Sequence, residues 1–368
     1  MKTYQSVIYI FVLVLAFLTN RGAFADSTCM ACNGSADRVG LKKQVEILNS
    51  PLKGFEPHLF CNKPYDSICS DYSYNGQVKK KLNTAKQKAV EKLIQKRQLQ
   101  RSEMNQALAG AGSLDDSPRL QYLNHLLDGL DNTQELRSFY TLVKDLLMER
   151  IERQMGVKES TLREMRKEVQ EVTVLSAKEY ANSCNAVGNV YYFCGNDALL
   201  PGGFVANCNG QKAVVVCPAL YILNSSKNNF RGMAMVLAHE MSHYIDNAES
   251  NGVDRTFPDA YKKLIACSHD TSAENIADYW AIETMGIMLY QFQNPDEIFS
   301  FLKDSMHGLC ETPGGMHASG YQRIGDFLRN NPTIKRVMKC GPMSLPWEFW
   351  REAVFEEKAV CTPTGSEL

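Results

Sequence analysis

Residues 239–243 read H-E-M-S-H, which places two imidazoles four residues apart with a carboxylate directly after the first. Side chains four apart lie on one face of an α-helix, so both rings can point at one metal ion. The preceding residues 233–238 are apolar, which predicts a helix over residues 231–244 that is packed inside a domain. An exposed helix with two incidental histidines is the alternative.

A catalytic zinc ion takes three protein ligands and leaves a fourth position open. His239 and His243 supply two ligands, and Glu274 is the best candidate for the third. Asp278 follows one helical turn later and can accept the outer N–H of a ligand histidine, which holds its tautomer. Glu240 would lie beside the metal, where it can accept a proton from water. For the two acids on the second helix, a solvated helix face is the alternative.

The combination of H-E-x-x-H with E-N-I-A-D at residues 274–278 resembles the gluzincin metallopeptidases. The second segment reads like that of the neprilysin-like branch. A third block, H-A-S-G-Y-Q-R-I at residues 317–324, is similar to the H-P-x-x-x-x-R-I segment of HtpX and the CAAX prenyl proteases. The resemblance covers about residues 185–330 and looks closest to soluble periplasmic members.

What the resemblance implies is one zinc ion per chain, held by His239, His243 and Glu274, with Glu240 as the general base and Asp278 supporting a ligand. It also implies roles in the third block. His317 and Arg323 are candidate catalytic residues that stabilise the oxyanion of the reacting carbonyl, and Tyr321 is a further candidate. A packed His317 or a structural salt bridge by Arg323 is the alternative, and His269 and Asp270 are alternative metal ligands.

The expected fold class is α+β, with a zincin-like catalytic domain that combines a small antiparallel sheet with active-site helices. A helical N-terminal region precedes this domain. The predicted divisions are a signal peptide (1–25), a cysteine-containing segment (26–75), a helical region (76–182), the metallopeptidase domain (183–345) and a C-terminal tail (346–368).

Apolar residues recur at helical spacing in three stretches of the helical region, at about residues 78–93, 136–151 and 162–172. Residues 189–194 read as a strand, and residues 203–206 and 212–217 read as an antiparallel hairpin around an Asn-Gly turn. An edge strand beside the metal can hold an extended peptide by main-chain hydrogen bonds. A further apolar helix is predicted at residues 276–290.

The N-terminus has the pattern of a secretory signal. Lys2 precedes an apolar run at residues 7–18, and an A-F-A sequence at residues 23–25 predicts cleavage before Asp26. An uncleaved anchor is the alternative, and no later stretch is apolar enough to span a bilayer. The expected location is periplasmic or secreted.

All 12 cysteines follow the predicted cleavage point, and an even number in an exported chain argues for disulfide bonds. A two-residue Asn-Gly turn would place Cys208 and Cys217 roughly 20 Å apart, beyond bonding range, so that pair would require a wider loop. Cys29 and Cys32 are separated by two residues and suit a structural disulfide, a redox pair or half of a metal site.

The formal net charge of −1 gives no general reason to expect nucleic acid as a partner. One stretch is basic: from Lys79 to Arg101 there are nine basic residues and the single acid Glu91. This stretch can contact an anionic surface, although a solvated helix face is the simpler interpretation.

The predicted function is that of an exported zinc-dependent endopeptidase, a hydrolase acting on protein or peptide substrates. Two alternatives remain open. One is a non-catalytic exported scaffold or chaperone with a structural zinc site. The other is a hydrolase of cell-wall peptides, which would share the site but not the substrate.

Overall fold

A computed structural model of the protein describes residues 63–69, 72–97, 102, 117–130, 133–152, 159–225, 230–246, 273–289, 295–310, 319–321 and 323–325. All of them belong to one compact unit, Val45–Leu368. Within these ranges no helix combines the length and apolarity needed to cross a membrane.

The first part of the described chain is helical. Its helices are α1 (Pro64–Cys69), α2 (Tyr72–Arg97), α3 (Ser117–Leu126), α4 (Thr133–Glu152) and α5 (Glu159–Gln170). The three predicted helical stretches correspond to α2, α4 and α5 and are confirmed. In α4 the buried residues recur every three or four positions, so that one stripe of the helix faces the core.

A three-stranded sheet follows, formed by β1 (Thr173–Ser176), β2 (Gly203–Cys208) and β3 (Gln211–Val216). The strand order is β1-β3-β2, with β2 antiparallel and β1 parallel to β3. The predicted hairpin is confirmed, and its turn residues Asn209 and Gly210 have φ of 54° and 86°, as a two-residue hairpin turn requires.

The sheet is mixed, whereas an antiparallel sheet was expected. Strand β1 was missed because its four residues are separated from helix α5 by only two residues, and the apolar spacing of the helix continues to Val172. The coarse class holds: the described residues are mostly helical with one small sheet, which is compatible with an α+β fold.

Residues 189–194 are not a strand. Two short helices follow β1, α6 (Ala177–Ser183) and α7 (Val187–Phe193). Residues 189–193 lie in α7, and Cys194 is its C-cap. The prediction relied on the aromatic and β-branched composition, but Val187, Val190, Tyr191 and Cys194 are buried at helical spacing while Tyr192 is exposed. The capping box between Ser176 and Glu179 starts α6 directly after β1.

Three disulfide bonds link the described residues: Cys69–Cys310, Cys184–Cys208 and Cys194–Cys217. As expected, Cys208 and Cys217 are not bonded to each other. The last two bonds attach the ends of α6 and α7 to the hairpin. Such bonds persist in an oxidising compartment outside the cytoplasm. Cys29 and Cys32 lie outside the described residues.

The remaining elements are α8 (Pro218–Ser225), a 3₁₀ turn (Phe230–Met233), α9 (Ala234–Asp246), α10 (Ala273–Leu289), α11 (Pro295–Met306) and a second 3₁₀ turn (His307–Leu309). The predicted helices at 231–244 and 276–290 are thus confirmed as α9, with the preceding turn, and α10. Helices α4, α5, α10 and α11 and strand β2 all contact α9. Helix α9 therefore lies at the centre of a single apolar core.

Candidate metal centre

Helix α9 is buried on most of its surface and carries polar groups on one face. Within residues 234–245, only Val236, Glu240 and His243 are partly exposed. They are spaced four and three residues apart, so they lie on the same side of the helix. This spacing leaves one accessible stripe on an otherwise enclosed helix, and the stripe contains the predicted base and one predicted ligand.

The predicted metal ligands converge on one point. His239 Nε2 lies 3.0 Å from Glu274 Oε2 and 3.2 Å from His243 Nε2, and the separation between His243 Nε2 and Glu274 Oε2 is 3.4 Å. Glu274 begins the first turn of α10, which packs along α9. Two helices separated in the chain by more than twenty residues thus bring the three groups together.

These separations suit a tetrahedral zinc ion. With bonds of about 2.0–2.1 Å, two ligand atoms of such an ion lie about 3.3 Å apart. The observed separations of 3.0, 3.2 and 3.4 Å are within a few tenths of an ångström of that value. Among the described residues, His239, His243 and Glu274 form a group of three side chains whose donor atoms lie close enough together to hold a metal ion.

A second carboxylate holds the outer side of the first ligand. His239 Nδ1 lies 2.8 Å from Asp278 Oδ1, so an Nδ1–H donates to Asp278 and leaves Nε2 directed at the other two ligands. Asp278 also accepts hydrogen bonds from Arg323, at 2.7 Å from Nε and 2.6 Å from Nη2. Asp278 thus orients the Arg323 side chain and lies between it and the candidate ligand His239.

Charge in this cluster shifts two pKa values. Burial opposes the charged form of His239, but the negative charge and hydrogen bond of Asp278, aided by Glu274 and Glu240, raise its pKa to about 9. Burial likewise opposes ionisation of Asp278, but Arg323 and His239 lower its pKa to about 2. In the absence of metal, His239, Asp278 and Arg323 are therefore all charged at neutral pH and form a buried hydrogen-bonded chain.

Strand β2 passes close to the predicted base. A Cβ atom placed on Gly203 would lie 3.2 Å from Glu240 Cγ and 3.1 Å from the carbonyl oxygen of Val215. Sequence reasoning missed this role of Gly203, although a glycine inside a strand is a known sign of a close approach. The face of β2 at Gly203 and the Glu240 side chain are consequently neighbours.

Tyr244, the residue after the second histidine, was also missed. Its hydroxyl lies 2.8 Å from the carbonyl oxygen of Ala206 and 3.0 Å from that of Ala213, and it accepts from the Ala213 N–H. These contacts attach the β2–β3 hairpin to α9. The hairpin therefore cannot move far from the ligands without losing buried hydrogen bonds.

A buried ion pair anchors α10 from its other side. Arg150 on α4 donates from Nε to Glu283 at 2.7 Å and from Nη2 to the Tyr279 hydroxyl at 3.0 Å. Both charged side chains are less than 10% exposed, at 4% and 9%. The helix that presents Glu274 and Asp278 is thus held by the helical region that precedes the sheet.

Other predicted site residues are placed as follows. His317, His269 and Asp270 lie outside the described residues. Tyr321 is 59% exposed and its ring contacts that of Tyr65. A role for Tyr321 or Arg323 as an oxyanion donor stays a prediction.

The described part of the basic stretch lies on α2. Lys80, Lys81, Lys88 and Lys92 line a groove of about 710 Å³, together with acidic residues such as Asp128. Lys92 is paired with Asp128 at 2.7 Å, and Lys81 donates to a backbone carbonyl. Contact with an anionic surface therefore stays a prediction.

Comparison of the chain with models of protein families, with curated proteins and with solved structures found no match.

Proposed function

We propose that this chain is an exported zinc-dependent endopeptidase. The observation that carries the proposal is the convergence of His239, His243 and Glu274 at separations of 3.0–3.4 Å, with Glu240 on the same face of α9 and β2 beside it. The donor set of two imidazoles and one carboxylate is the set that catalytic zinc takes.

A zinc ion in this position would act as a Lewis acid that acidifies a water and polarises a peptide carbonyl. Glu240 accepts the proton of the attacking water on its carboxylate and later delivers it to the leaving amine. Asp278 keeps a proton on Nδ1 of His239, so that Nε2 stays available as a ligand. Arg323 is a positioning residue in this scheme, because its two hydrogen bonds fix the Asp278 carboxylate.

The exposure of the site favours a catalytic centre over a structural one. Structural zinc sites are closed by four protein ligands. Here the side chains of His243 and Glu274 are 14% and 26% exposed, and Glu240 is also partly accessible. A substrate can therefore approach the ligand set from the side on which the base lies.

The decisive test is the Glu240→Gln variant. We expect it to bind zinc in a 1:1 ratio, as measured by metal analysis, and to lose hydrolysis of an unfolded protein such as casein by a factor of about 10²–10⁴. Glu164→Gln is the matched control, because Glu164 is exposed on α5. Glu274→Ala should instead lose the metal.

Undiminished cleavage by Glu240→Gln would contradict the assignment of the base. If the native zinc-loaded chain cleaves neither casein nor cell-wall peptides, while its zinc is bound in a 1:1 ratio, the enzyme proposal fails and the scaffold alternative is favoured.

A further inference from the structure

Three exposed apolar side chains, called here the apolar cluster, lie on α7 and in the turn that follows it. Tyr192, Phe193 and Leu200 are 80%, 48% and 57% exposed, and they are three of the four large apolar side chains that are exposed among the described residues. The rings of Tyr192 and Phe193 meet edge to face with centroids 4.9 Å apart. Leu200 belongs to the turn after α7, since its N–H donates to the carbonyl of Cys194 at 2.9 Å.

The cluster is connected to the metal site through strand β2. The Phe193 ring is stacked on that of Phe204, with centroids 4.6 Å apart. Phe204 directly follows Gly203, the residue that approaches Glu240. Adjacent residues of a strand face opposite sides of the sheet. Position 203 therefore faces α9 at Glu240 and Val236, whereas Phe204 faces the Phe193 ring.

A peptide that paired with β2 as an added strand would present alternate side chains to the two faces of the sheet. In the described residues β2 pairs with β3 on one edge, so its other edge is where an added strand would form main-chain hydrogen bonds. Residues opposite each other in paired strands have their side chains on the same face. A substrate residue opposite Gly203 would thus face the side of α9 that carries Glu240, and its neighbour opposite Phe204 would face the cluster.

We propose that Tyr192, Phe193 and Leu200 form an apolar subsite for the substrate. The subsite selects extended peptides with a large apolar side chain one residue away from the residue held at the metal. Exposed apolar area that is concentrated beside a binding edge commonly marks a recognition surface. This inference rests on the proposed peptidase function, and it adds the substrate class: unfolded, apolar-rich protein segments.

Binding measured without turnover tests the subsite separately from catalysis. The zinc-loaded Glu240→Gln protein is titrated with labelled ten-residue peptides that carry one Phe or, in the matched peptide, Ser at each successive position. Fluorescence anisotropy gives the Kd of each pair. We expect the Phe peptide to bind about tenfold more tightly at one position, as a single apolar contact can provide.

Adding Tyr192→Ser to this background should reduce that preference to about threefold or less, whereas Tyr192→Phe should retain it. Because Tyr192 is 80% exposed, zinc content and unfolding temperature should not change in either variant. Leu200→Ser should act in the same direction as Tyr192→Ser.

A Phe-to-Ser preference that is unchanged in both serine variants would overturn the subsite, and hydrolysis by the native chain would then still support the peptidase. Conversely, if the native chain hydrolyses no peptide but the preference falls in Tyr192→Ser, the proposed catalytic function fails and the apolar subsite stands as a peptide-binding surface.

Discussion

Zinc and a proton should compete for His239. The metal needs the lone pair on Nε2, but in the metal-free protein the buried ring is held as an imidazolium, because Asp278 and the neighbouring acids raise its pKa to about 9. Binding of one zinc ion must therefore release a proton from this ring at neutral pH. Zinc affinity should rise as the pH rises towards the pKa of His239.

The size of the effect follows from that pKa. At pH 7 the ring lies two pH units below a pKa of about 9, so removing its proton requires roughly 3 kcal/mol. The apparent zinc affinity at pH 7 should then be about 100-fold lower than its limit for the neutral ring. Between pH 7 and 9 the affinity should rise about tenfold per pH unit, and above pH 9 the His239 contribution should level off.

Competition titrations against a chromophoric chelator with a known pH dependence would measure this slope between pH 6.5 and 9.5. Proton release in weakly buffered solution gives an independent count. Equal zinc affinities at pH 7 and pH 9, with no proton released on binding, would refute the reasoning.

The Asp278→Asn variant separates charge from coordination. It removes the main interaction that raises the pKa of His239. The rise of zinc affinity with pH should therefore level off at a lower pH than in the native protein. At pH 9.5, where the native ring is mostly neutral, its zinc affinity should still be about 10–100-fold weaker, because the Nδ1–H loses an anionic acceptor. If zinc affinity has the same pH dependence in this variant as in the native protein, Asp278 does not set the pKa of His239.

Other consequences of the structure can be measured directly. Glu283→Gln should lower the free energy of unfolding by about 3–5 kcal/mol in urea titrations, because it removes one charge of a buried ion pair; a loss below 1 kcal/mol would contradict this. Replacing both Cys184 and Cys208 by Ser removes a bond between residues 24 apart and should lower stability by about 3 kcal/mol relative to the oxidised native chain; after reduction of both proteins the difference should largely disappear. Gly203→Ala should reduce casein hydrolysis at least tenfold while zinc content stays at one per chain, since the added Cβ would lie 3.2 Å from the general base; equal activity would show that the strand can shift.

Much of the candidate site could be predicted from local patterns. Spacing of four residues is enough to place His239 and His243 on one face of any helix, and the apolar residues before them are enough to predict that helix. The Asn-Gly turn similarly predicts the hairpin, because few other residue pairs adopt positive φ at two successive positions. These features depend on residues within a few positions of one another, so they can be recognised in the linear chain.

Contacts between distant segments could not be predicted from local sequence patterns. The pairing of Arg323 with Asp278, the pairing of Arg150 with Glu283 and the parallel position of β1 each join residues far apart in the chain, and no local pattern specifies the partner. Residues 189–194 illustrate the same limit, because their composition favours a strand while burial of Val190, Tyr191 and Cys194 on the core side makes them helical. The amino-acid sequence by itself determined which groups can bind a metal ion; the packing of α10 against α9 decided that they meet, because only burial in a shared core brings Glu274 within bonding distance of two imidazoles.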